Sequence, residues 1–326
     1  MDRRHFLGAM AAMATPSIAK AQTASSGRMR KIGWITGQRR ASLEPYLAEV
    51  RSGLADLGFV EGKTIAIEYR FGDDDLSKVP ALAADLVAQD VELIVAQGAA
   101  VAILATAQLP VPLVYVTSGD PVVSGLAESL SKPKGAMTGI TFMAAEMNGK
   151  RLEILRDIKP AMKRLAVIGN PEHPGAEIEF SYARDKASSL GLEMAYYTTR
   201  SLPELQAAFK TIADRPVDAM SVFADGFAVQ YREQIIAFGM AQKVPVVSGW
   251  AVFAQSGALC TYGPKLSSSY RRLSAFVAKI LAGAKPADIP VERPTTFELV
   301  LNLRSAKQLG LAMPTEVVAR ADDVID

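Results

Sequence analysis

The sequence predicts an α/β fold of two lobes, each a parallel β-sheet flanked by helices. Three observations predict it. Short apolar runs alternate with helical stretches along the chain, the order of these elements recurs in two halves, and 326 residues, 49% of them hydrophobic, exceed one compact core of roughly 100–200 residues.

In the first half "KIGWIT" (Lys31 to Thr36) reads as a strand, followed by an amphipathic stretch ending at Leu57-Gly58 and by the strand "TIAIEYR" (Thr64 to Arg70). In the second half "RLAVIG" (Arg164 to Gly169) leads to a helical stretch ending at Leu190-Gly191 and then to "LEMAYYTT" (Leu192 to Thr199). "ALAADLVAQDVELIVAQG" is echoed by "ELQAAFKTIADRPVDAMSVFADG", and "LPVPLVYVTSG" by "QKVPVVSGW". This is the spacing of successive βαβ units. The nearly continuous apolar run from Val91 to Val116 could pass for a membrane span, but Gln97-Gly98, Pro110 and Pro112 divide it into strand, turn, helix, turn and strand.

Ligands of open parallel sheets sit outside the carboxyl ends of the strands, where loops carry polar groups and free helix N–H groups. Those ends read Thr36-Gly37-Gln38, Gln97-Gly98 and Thr117-Ser118-Gly119-Asp120 in the first lobe. In the second they read Gly169-Asn170-Pro171, Ala224-Asp225-Gly226 and Ser248-Gly249-Trp250. If the lobes face each other, these tips line a cleft that closes on a small molecule. Candidate ligand contacts are therefore Thr36, Gln38, Gln97, Gly98, Thr117, Ser118, Asp120, Asn170, Asp225, Trp250 and Tyr262. Trp34 reads as core, whereas Trp250 at a strand end reads as a cleft aromatic that could stack on a flat ligand, with Phe142 and Phe227 near by. The N–H groups from Gly98 to Val101 could receive a carboxylate.

The polar tip at Asp120 admits two readings: it meets a cationic group of the ligand, or, ahead of Pro121, it caps its own turn. Asp120 and Asp225 could in principle form an acid and base pair, which makes a secreted α/β enzyme an alternative. Other chemistry finds little footing. His173 in "NPEHPG" is the one histidine beyond residue 21, so no histidine pair exists for zinc, and no G-x-S-x-G elbow presents a serine. No phosphate-binding glycine motif follows the first strand. The expectation is a protein with no metal and no cofactor. Cys260, the single cysteine, lies in the apolar "ALCTY" and reads as a small core residue.

The first residues, "MDRRHFLGAMAAMATPSIAKAQ", join Arg3-Arg4 to a short apolar stretch and close on Ala19-Lys20-Ala21. They read as an export signal over 1–21, Tat-like or Sec, and place the protein in the periplasm. Its removal takes Arg3, Arg4 and Lys20 against Asp2 and brings the 36 basic and 34 acidic side chains to parity. A neutral chain without a basic stripe does not fit a nucleic-acid partner.

The segments "LADLGFVEGKTIAIEYRFGDDD", "SGDPVVSGLAESLSKPKGAMTG", "NGKRLEILRDIKP" and the run from Tyr262 to Pro314 resemble the substrate-binding proteins of ABC transporters, the family that includes tryptophan/tyrosine-type binding proteins. The resemblance covers essentially the whole chain beyond the signal. "KPKG" at Lys132 to Gly135 departs from it, since members commonly have Pro-Gly-Gly there, and Lys134 alters a surface turn. The resemblance implies a type I periplasmic-binding-protein fold of two Rossmann-like lobes joined by a hinge. It implies lobes over 28–140 with 264–295 and over 141–263 with 296–326, and crossings near Thr138 to Glu146, Tyr262 to Pro264 and Pro294 to Phe297. It further implies a monomer that delivers a small solute, with an aromatic amino acid as the leading candidate, to an inner-membrane permease and its ATPase without catalysis. An exported sensor module that presents its closed state to a signalling partner is the other binding alternative.

Overall fold

The computed structural model describes residues 29–143 and 145–326. The export signal expected over 1–21 lies outside the described residues. A five-stranded sheet runs in the order Ile65–Phe71, Arg30–Thr36, Ile94–Gln97, Leu113–Thr117, Met137–Thr141, every neighbouring pair parallel. A second sheet of seven strands runs Asp323–Ile325, Phe297–Asn302, Cys260–Pro264, Val246–Ser248, Ala219–Val222, Arg164–Gly169, Glu193–Thr198. Within it Cys260–Pro264 and Phe297–Asn302 are antiparallel, and the other pairs are parallel. This antiparallel pair departs from the parallel reading because the chain between the two strands visits the other lobe before it returns.

Alternation along each strand divides the core into two layers per sheet, since successive side chains point to opposite faces. Ile32 and Trp34 face the helices Glu44–Asp56 and Leu266–Leu281, whereas Ile35 joins Ile94, Ala96 and Tyr115 on the other face. The run from Val91 to Val116 resolves into the strand Ile94–Gln97, the helix Ala100–Ala105 and the strand Leu113–Thr117. No helix among the described residues is long and apolar enough to cross a membrane. Gly58 and Gly191 follow their helices at φ +87° and +66°, the left-handed conformation that ends a helix without a Cβ clash. Helix Leu202–Asp214 begins where the Ser201 hydroxyl accepts the Glu204 amide, and it buries Leu205, Ala208 and Ile212 at helical spacing.

The chain passes between the sheets three times. It leaves Met137–Thr141 for the helix Met147–Ile158, whose Leu152, Leu155 and Ile158 pack in the second core. After Cys260–Pro264 the helix Leu266–Leu281 carries Tyr270, Leu273, Phe276 and Val277 back into the first core. Glu292 then bridges Ile140 at the edge of the first sheet before Phe297–Asn302 rejoins the second.

Candidate functional site between the lobes

Strand ends of the first sheet supply a compact polar group. The Thr36 side chain, fully buried, accepts the Gln38 amide at 3.2 Å, and Gln97 Nε2 donates to Gln38 Oε1 at 2.8 Å. Gln97 is 7% exposed and its Oε1 has no hydrogen-bond partner, so a buried acceptor is left at the tip of a strand. The N–H groups between Gly98 and Val101 are only partly free: Gly98 donates to Val116 and Val101 to Gly98.

A contiguous aromatic path lies beside this group. Tyr46 stacks on Tyr270 at 4.8 Å, Trp34 lies 6.3 Å from Tyr270, and Phe142 lies 5.4 Å from it. Trp250, carried by the end of a second-sheet strand, closes the path edge-on to Phe142 at 6.3 Å and packs against the first lobe's core. Trp34 is buried at 1% exposure, whereas Trp250 and Tyr46 are half-buried. Burial raises the Tyr46 hydroxyl above its ordinary pKa; Glu298 of the second sheet raises it further, and Arg232 draws it back.

The second lobe contributes a buried charged cluster. The Asp225 carboxylate caps the helix Gly226–Gln230 by accepting the Ala228 amide at 2.7 Å, and burial lifts its pKa to about 6 against that bond. Arg151 is fully buried: Nε donates to the Tyr262 carbonyl at 2.8 Å and Nη1 to Asn148 Oδ1. Desolvation lowers the Arg151 pKa to about 10, while the Glu179 charge supports it. Glu179 accepts a long bond from Asn148 Nδ2 at 3.4 Å and stands 3.8 Å from His173 Nδ1. Burial pushes Glu179 up to about 7, with Arg151 and Asn148 opposing and Asp225 adding to the rise.

The candidate residues thus divide. Thr36, Gln38 and Gln97 form one group, and Ser118 meets the second lobe through His173 at 2.8 Å. Thr117 accepts the Gly119 amide and Asn170 the Glu172 amide, so each orders its own loop. Asp120 Oδ1 accepts the Val122 and Val123 amides at 2.7 and 3.0 Å, the capping arrangement, while its own amide donates across the lobes to Pro174. The Tyr262 ring lies 6.5 Å from Phe297 and packs on the second core. Phe227 packs on Tyr231 at 4.7 Å, the rings tilted by 50°, in a separate layer. Cys260 is a free thiol, buried, and burial raises its pKa to about 12. Among the described residues no group of three or more His, Cys, Asp or Glu side chains is placed to hold a metal ion.

Tyr46, Tyr270, Arg151, Glu179 and His173 are the neighbours that strand-end reasoning passes over. A signal existed for Arg151. It follows Asn148 by three positions on the helix face that buries Leu152, Leu155 and Ile158, so helical spacing sets a charge among core residues.

Comparison with known proteins places this architecture. Over 275 residues the chain is 25% identical to a tyrosine-binding protein of Clostridioides difficile (strain R20291), covering 82% of this chain and 78% of that one. A Streptococcus pneumoniae ABC domain in complex with L-Trp superposes with a TM-score of 0.83 at 23% identity, over 91% of this chain and 100% of that one. A ligand-free, open substrate-binding protein with adhesive properties from Clostridium difficile gives 0.70 at 20% identity, over 91% and 99%. These likenesses identify the fold as a type I periplasmic-binding-protein fold of two lobes. Residues 40–325 match the sequence profile of the ABC transporter substrate binding protein family, and the chain belongs to that family.

Proposed function

We propose that this protein captures an aromatic amino acid, L-tryptophan or L-tyrosine, between its lobes in the periplasm and delivers it to the permease and ATPase of an ABC importer, without chemical change to it. The observation that carries this reading is the aromatic path from Trp250 through Phe142 and Tyr270 to Tyr46, laid against the polar group of Thr36, Gln38 and Gln97. Such a path offers a flat ring an apolar wall, and the unpartnered Gln97 Oε1 offers an acceptor to a ligand N–H or O–H. Two relatives support this reading, one named for tyrosine binding and another in complex with L-Trp. The carboxylates of Asp120 and Asp225 are engaged with backbone amides, which suits scaffolding of the tips rather than acid and base work. In this reading the three passages between the sheets are the hinge, the protein works as a monomer, and a ligand touching both lobes favours the closed form.

The test is calorimetric titration of protein that has been unfolded, dialysed free of ligand and refolded. L-tryptophan or L-tyrosine should bind tightly with recovery of the unaltered amino acid. Failure of both to bind while another solute does would overturn the aromatic assignment, and recovery of a product would overturn capture without chemistry.

A further inference from the structure

The second-lobe loop 170–175 reaches the tip of the first-lobe strand Leu113–Thr117. Ser118 Oγ lies 2.8 Å from His173 Nε2, and the Asp120 amide donates to the Pro174 carbonyl at 3.0 Å. A Cβ on Gly119 would stand 3.0 Å from the Cβ of Pro174, so glycine is what lets the two loops meet. The contact adjoins the first passage between the lobes, where Thr141 Oγ1 donates to the Gly119 carbonyl at 2.8 Å.

His173 is held for this contact. Its amide donates to the Asn170 carbonyl at 3.1 Å, its carbonyl accepts the Ala176 amide at 2.9 Å, and its side chain is 12% exposed. Nδ1 is buried without a hydrogen-bond partner and faces Glu179 Oε2 at 3.8 Å. A neutral ring carrying its proton on Nδ1, toward that carboxylate, leaves Nε2 to accept the Ser118 hydroxyl. The Ser118 bond is then the ring's one close side-chain partner, and it joins residues from opposite lobes.

We infer that His173 is a positioning residue for ligand retention: with Ser118 it forms a latch that holds the lobes closed beside the hinge. Opening the cleft separates Ser118 from His173 and returns the imidazole to water. The latch thereby adds to the closed form a contact that no ligand needs to make. The inference rests on the capture reading but not on the identity of the solute.

The experiment introduces a reporter at the same contact. In a Gly119→Cys/Pro174→Cys variant of the exported chain the two Cβ atoms would stand 3.0 Å apart, so the loops must ease apart to reach the disulfide spacing of roughly 3.5–4.5 Å, and the native Cys260 is buried. Oxidised glutathione should convert the two thiols to a disulfide in ligand-free protein, read by electrophoresis and by the two-hydrogen loss in mass. In this background Ser118→Ala and His173→Ala should each slow closure of the disulfide about 3- to 10-fold, with little further loss in combination. His173→Gln, which keeps a polar partner for Ser118, should recover part of the rate. Equal rates with and without Ser118 and His173 would overturn the latch; if the crowded pair does not close, an unchanged radius of gyration by small-angle scattering in ligand-free Ser118→Ala and His173→Ala proteins overturns it instead. In the unmodified chain the same two substitutions should raise the dissociation rate of L-tryptophan or L-tyrosine and leave association unchanged. If neither amino acid binds, the proposed ligand falls while the cross-linking rates still decide the latch.

Discussion

The indole of Trp250 stands at 83° to the Phe142 ring, 6.3 Å away, so an aromatic carried by the second sheet seals the edge of the first lobe's core. Opening the cleft must part this pair. The chain has two tryptophans, and Trp34 is buried in the first lobe at 1% exposure, so closure should register at Trp250 alone. Addition of L-tyrosine, with excitation at the red edge of the spectrum where only indole absorbs, should shift tryptophan fluorescence in the parent protein and in a Trp34→Phe variant, but not in Trp250→Phe. Trp250→Ala should also weaken L-tryptophan or L-tyrosine about 2- to 10-fold, as removal of an aromatic contact of roughly 0.5–1.5 kcal/mol implies. A ligand response that persists in Trp250→Phe would separate this ring from closure.

Arg151 and Gly249 share one space. A Cβ at 249 would collide with Nη2 of the guanidinium, which its bonds to Tyr262 and Asn148 hold in place. Gly249→Ala should therefore destabilise the protein by about 1–3 kcal/mol, the range for overpacked cores. Denaturant titration checks this as a lower midpoint with an unchanged slope. A midpoint equal to the parent's would mean that Arg151 can move aside.

Asp120 is the acceptor for two amides in its own turn. Asp120→Ala should cost about 1 kcal/mol, the scale of a lost cap, whereas Asp120→Asn keeps an acceptor and should cost less. Because the same turn presents Ser118 and the Asp120 amide to the second lobe, Asp120→Ala should also speed ligand dissociation. Loss of affinity in Asp120→Asn as large as in Asp120→Ala, with stability intact, would instead assign the carboxylate a charge role toward the ligand.

Much of the fold was legible because it is written in local terms. The short apolar runs "KIGWIT" and "RLAVIG", the Leu-Gly helix ends and the punctuated run from Val91 to Val116 each report the backbone state of a few neighbouring residues. The strand-end rule brought Thr36, Gln38 and Gln97 together because one parallel sheet sets all three at one edge. Tyr262 lies apart from that group: its half-buried ring sits 6.5 Å from Phe297 and packs on the second core, on the same side of its strand as Cys260. The contact between Ser118 and His173 spans 55 positions and depends on how two rigid lobes meet, which no local pattern encodes. Tyr46 and Tyr270 were hidden for a related reason: each sits within a helix whose apolar face reads as ordinary core.

Folding changes the proton affinity of three buried groups behind the cleft, and their signs differ. Burial raises Glu179 from 4.5 to about 7 and Asp225 from 3.8 to about 6, while it lowers His173 from 6.5 to about 4. Each carboxyl contributes fully below its unfolded value and loses that contribution as pH rises through the folded one. The imidazole behaves oppositely: its contribution is complete above 6.5 and fades as pH falls toward 4. Two carboxyls outweigh one imidazole in the overlap of these windows, so the folded chain binds more protons there than the unfolded chain. Exposed acids held below their ordinary range by partners, such as Glu44, Glu153 and Glu204, oppose this only under more acidic conditions. The protein should therefore gain about 1 kcal/mol of stability between roughly pH 8 and 5.5. Glu179→Gln removes the largest contributor, so stability should no longer rise toward the acid end, and because it leaves the buried Arg151 without that charge the variant should be less stable than the parent at the alkaline end. Denaturant titrations of both proteins at the two ends of the range give the answer. A parent that is less stable at the acid end would show that His173, not the carboxyl pair, governs proton uptake in this cluster.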